Sequence, residues 1–151
     1  MVPTLRSLFL GSKQPRWLFV AFLTCGLFAL TFAAYAVGLF RVTGGVVFIP
    51  YDAALVGVLA AFGVGYARRG LLVAWIFAYA SLLGYLADHA FFGLSYRPFL
   101  DQLGYFLQLD GLAFLAVEAL VLGTLAFIVG MTVSAVIAFV RRERLSSPQS
   151  R

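Results

Sequence analysis

Asp88, His89 and Glu118 are the side chains whose types could do chemistry. Two carboxylates and an imidazole are donors suited to a divalent metal, with Asp52 as a possible fourth ligand. His89 and Glu118 together suit a second task, passing a proton, because an imidazole titrates near neutral pH. A third use is structural: an ion pair between Glu118 and Arg41, Arg97 or a protonated His89, closing one end of a helical assembly. No motif stands behind the first two uses. Asp88 and His89 are chain neighbours, so on a helix their side chains diverge by about 100°. There is no H-E-x-x-H pattern, no glycine-rich phosphate loop and no serine-centred nucleophile motif. The structural tie is therefore the leading expectation for Glu118. Asp52 is expected at a helix start, where a carboxylate accepts free backbone N–H groups.

Cys25 stands alone, which excludes an internal disulfide and a Cys-x-x-Cys redox pair. His89 is the single histidine and cannot supply both axial ligands of a bis-histidine haem. No cofactor is expected, and catalysis is a lesser expectation than a non-catalytic role.

The elements that must hold these residues follow from composition. Of the 151 residues, 63% are hydrophobic and 11% charged, with a mean hydropathy of +1.00. Soluble domains carry about 25% charged residues, so a bilayer is the expected solvent for most of this chain. Four long apolar stretches alternate with short polar connections. The expected fold is all-α: an integral membrane four-helix bundle with spans at about 17–40, 50–67, 71–87 and 112–140. Residues 1–16 form a basic cytoplasmic segment with a brief amphipathic turn, and 141–151 form a cytoplasmic tail. The outer loop 88–110 should hold a short interfacial helix over Phe99–Leu109, started by Pro98, with Asp101, Gln102 and Gln108 on its polar face. Thr43-Gly44-Gly45 reads as an outer turn and Asp110-Gly111 as a break.

Charge orients this assembly. Nine of the eleven Lys and Arg residues lie before the first stretch, between the second and third, or after the fourth; Arg41 and Arg97 are the exceptions. Short cytoplasmic segments retain such residues, so both termini are expected to be cytoplasmic in a multi-pass cell-membrane protein. The net charge of +5 follows that topology. It suits anionic lipid headgroups and does not form a nucleic-acid stripe. Ala34-Tyr35-Ala36 has the form of a signal cleavage site, but the apolar run before it is too long, so retention is expected.

Spans in lipid associate through small residues at four-residue spacing. Such ridges occur at Ala21, Cys25, Ala29 and Ala33, at Ala53, Gly57, Ala61 and Gly65, and at Ala126, Gly130, Ser134 and Ala138. They are expected to compact a single copy; alternatively one ridge, that of span two first, joins a second copy or a larger complex. The middles of the spans carry no ionisable group except Cys25 and tyrosines such as Tyr79, which counts against a transport path within one copy. The leading functional expectation is a non-catalytic subunit, scaffold or structural component. The alternatives are a proton-coupled accessory protein using Glu118 and His89, and a membrane enzyme with an outer metal site.

Overall fold

The computed structural model describes residues 5–10, 17–41 and 50–146. The turn at Thr43-Gly44-Gly45, the run 46–49 and much of the two terminal segments lie outside the described residues. The chain is all-helical, and no strand occurs among the described residues. In order come α1 (Leu5–Leu10), α2 (Trp17–Ala36), α3 (Tyr51–Tyr66), α4 (Leu71–Asp88) with a π-helix at His89–Gly93, α5 (Phe99–Phe106) and α6 (Leu109–Ser146). Three helical stretches are long and apolar enough to cross a membrane: Trp17–Ala36, Leu71–Gly93 and the stretch containing α6. The fourth, α3, is apolar but only 16 residues long, about 24 Å at the α-helical rise.

Local chemistry sets the ends of these helices. α2 stops four residues earlier than its hydropathy suggests, because Gly38 adopts a left-handed φ of +72°. The N–H of Gly38 donates to Tyr35 O and that of Leu39 to Ala34 O, a Schellman closure. α3 ends the same way around Arg68 at φ +52°, with Arg68 N–H on Gly65 O and Arg69 N–H on Val64 O. A non-glycine residue in that conformation costs about 1 kcal/mol; here it fixes two arginines in a tight turn.

Two boundaries differ from expectation. α4 does not end at Ala87. It continues through Gly93, where Phe92 meets Phe32 of α2 at 5.7 Å between ring centroids, and Phe91 packs on Phe99 and Phe106. α6 begins at Leu109, so Asp110-Gly111 is inside the helix and the break falls at Leu107–Gln108. Asp110 in the first turn complements the helix dipole. At its other end α6 runs past Val140 into the basic residues, which favour a helix C-terminus.

α4 is the centre of the packing. It lies against α2, α3 and α6, while α3 also lies against α6 and α2 scarcely touches α3. Small residues make these approaches possible. A Cβ on Gly57 would stand 3.1 Å from Ala78 Cα, and Cβ atoms on Gly65 and Gly130 would collide with the backbones of α6 and α3 respectively. Gly84 gives the same closeness between α4 and α2, beside Thr31 and Phe28. The ridge of α3 is thus consumed inside the chain: Ala53, Gly57, Ala61 and Gly65 are all buried. The ridge of α2 is not. Ala21, Cys25, Ala29 and Ala33 are all exposed, because α2 presents Val20, Thr31, Ala34 and Tyr35 inward instead.

Among the described residues, Arg68, Arg69, Arg141 and Arg142 gather at one end. The Arg69 guanidinium carbon is 5.7 Å from the Phe19 ring centroid, which puts the α3–α4 turn beside the start of α2. Gly130 is level with Phe62 and Tyr66, so Arg141 and Arg142 lie toward that same end. Phe9 of α1 meets Trp75 edge-on at 5.8 Å, so α1 packs against α4.

Candidate functional site

The opposite end of the helices carries all the residues that could do chemistry, but it distributes them over separate places. Glu118 is on the stripe of α6 that also buries Leu115, Ala119, Ala126 and Phe127. Its side chain is only 8% exposed. Counting back from the level of Phe127 and Gly65 puts it about 14 Å toward that end, level with the first turns of α3. Neither carboxyl oxygen has a hydrogen-bond partner among the described residues.

That corrects the leading expectation for Glu118. None of the three cations considered for it is a hydrogen-bond partner of either oxygen. Arg41 is exposed and offers Asp52 its backbone N–H, at 3.2 Å to Oδ2. Arg97 is exposed, its guanidinium 5.6 Å from the Tyr96 ring. His89 lies within an aromatic group, stacked on Tyr85 at 6.2 Å and 5.6 Å from Tyr105. Gly93 leaves room for that imidazole, since a Cβ there would be 3.1 Å from Nδ1.

The metal arrangement is not assembled either. Among the described residues no group of three His, Cys, Asp or Glu side chains is close enough to hold an ion. Asp88 ends α4 and His89 opens the π-helix, both half-buried, and the two form no three-member ligand set with Glu118. Asp52 stands in the first turn of α3, as expected; the N–H its carboxylate accepts is that of Arg41, which ties the segment after α2 to α3.

Other polar groups, unnoticed in the sequence, do meet. The Ala53 N–H donates to the Tyr35 hydroxyl at 3.3 Å, and the Ser81 hydroxyl donates to Ala53 O at 2.6 Å. One backbone unit of α3 is thereby tied to α2 and to α4. Trp75 Nε1 donates to Thr124 Oγ1 at 2.9 Å, tying α4 to α6. Interhelical hydrogen bonds in lipid average about 0.6 kcal/mol each, so these fix rotation and register more than they add stability. Their signal was faint because serine, threonine and tyrosine are ordinary in apolar helices. Gln102 is a similar case: expected on the polar face of α5, it points inward and donates to Leu94 O at 3.2 Å and Arg97 O at 3.0 Å. Leu100, at 78% exposure, takes the outward position.

Among the described residues this end holds a histidine in an aromatic cluster and a buried carboxyl without a hydrogen-bond partner. No protein-family model, no curated protein and no solved structure matches the chain.

Proposed function

We propose that this chain is a four-span cell-membrane protein with both termini cytoplasmic, acting as a non-catalytic subunit or scaffold that joins a second copy through α2. The observation that carries the reading is the outward ridge of α2. Ala21, Cys25, Ala29 and Ala33 form a shallow strip on an exposed face, flanked by Leu18, Phe22 and Leu30. Small residues at four-residue spacing allow close backbone approach between membrane helices. The matching strip of α3 is already used within the chain, so α2 retains one that is free for association. The orientation is supported by the gathering of arginines at one end, beside the Phe19–Arg69 contact. α3 acts as the fourth span despite its length, because it packs along both α4 and α6.

Cys25 makes the association directly testable. Oxidative cross-linking in native membranes is expected to give a disulfide-linked dimer that Cys25→Ala abolishes. Dimer in mild detergent should fall at least about tenfold for Ala29→Leu, a loss of about 1.4 kcal/mol. A chain that stays monomeric and carries no co-purifying protein would refute the subunit reading. Topology has its own readout: tags at either terminus should be protected from externally added protease in intact cells. External cleavage of either tag would reverse the orientation.

A further inference from the structure

Glu118 is the one feature the subunit reading leaves unused. Both its oxygens are shut off from solvent and lack a hydrogen-bond donor among the described residues. The stripe around it is apolar, and the nearest core is built of Ala53, Ala54, Ala78, Leu82 and Leu115. An ionised carboxylate in that position would give up its hydration with no compensating partner, at a far greater cost than a neutral carboxylic acid, which loses a partner too but carries no charge. Evolutionarily cheap apolar residues of similar size would fill the space, so a carboxyl here needs a ligand to account for it. We propose that Glu118 is a proton-binding site sealed within the packing of α6 against α3 and α4. It holds one proton in the packed arrangement, and releasing that proton requires the seam to admit water.

The ionisable groups on the neighbouring elements do not supply an alternative. On α3, Asp52 is occupied by the Arg41 N–H. On α4, the Tyr79 hydroxyl donates to Leu112 O at 3.5 Å, and Asp88 and Tyr85 border His89 toward the outer end. Tyr35 of α2 accepts from Ala53. On α6 itself, Asp110 is exposed at the helix start. None of these is a cation that would substitute for the proton. The proposal is independent of self-association through α2, which is on the far side of α4 from α6.

A hydrophobic carbodiimide, which reacts with protonated carboxyls, tests this on the full chain in its membrane. Mass spectrometry is expected to find the acylurea adduct on Glu118, decreasing at least about tenfold as pH rises from about 6 to about 9, a range that documented buried glutamates reach. Sodium ions should not protect, and Glu118→Gln should remove the adduct while the protein still elutes as a single species. A second measurement needs no reagent. A native state that holds a proton the unfolded chain releases loses stability as pH rises. The melting temperature of the wild type should therefore fall across that range, and that of Glu118→Gln should fall less. Absence of the adduct, an adduct indifferent to pH, protection by sodium, or parallel melting profiles for the two proteins would each overturn the proposal.

Discussion

Gly65→Val and Gly130→Val are each expected to cost about 3 kcal/mol, the upper part of the range for overpacking a close-packed interior. The reason is the partner at each position. A Cβ on Gly65 would run into the carbonyl and Cα of Phe127, and one on Gly130 into the Phe62 carbonyl and the Tyr66 N–H. These are backbone atoms and cannot rotate away, so α3 and α6 would have to separate. Thermal unfolding in mild detergent should show a drop of about 10 °C for each. Because the two positions pack on one seam, the double variant should lose less than the sum. Gly26→Ala and Gly63→Ala are the controls. Neither Cβ would meet anything within 4 Å, so both should stay within about 1 kcal/mol of the wild type. Equal losses at all four positions would mean that the α3–α6 seam is not the closest approach in the protein.

Glu118→Lys should be comparably damaging, by about 3–5 kcal/mol, because it puts a cation where neither oxygen of the native carboxyl finds a donor. Glu118→Met is the informative companion. Replacing a buried polar group by an apolar one of similar shape is near neutral or stabilising when the polar group had no partner. The methionine variant should therefore melt at or above the wild type. A clear loss of stability for Glu118→Met would reveal a partner to the carboxyl, and the leading structural role of an ion-paired glutamate would return. The two variants together separate a site kept for its proton from a site kept for its packing.

How much of this was legible in the residues depends on the range of the interaction. Hydropathy marked where the long helices lie, because each apolar stretch is a local property of the chain. Boundaries followed less well. Gly38 ends α2 through a Schellman closure, a signal that hydropathy does not weigh, and Phe91 and Phe92 extend α4 beyond Asp88 because they have aromatic partners on α5 and α2. The small-residue ridges were visible as spacing, yet spacing cannot say which face meets which helix. Those of α2 and α3 look alike in the sequence; one is exposed and the other buried.

The candidate site separates the two kinds of knowledge most clearly. The sequence by itself determined that the chain is helical and apolar, that Arg and Lys mark alternate connections, and that few ionisable groups exist for any chemistry. It also singled out Glu118 as a carboxyl among apolar neighbours. It took the tertiary structure to decide that Arg41, Arg97 and His89 are not its partners, and that His89 belongs to an aromatic cluster. The reason is rotational. Composition and spacing assign a residue its depth along a helix, but its partner depends on the helix's rotation. That rotation is set by contacts such as Gly65 with Phe127 and Ser81 with Ala53, between residues far apart in the chain.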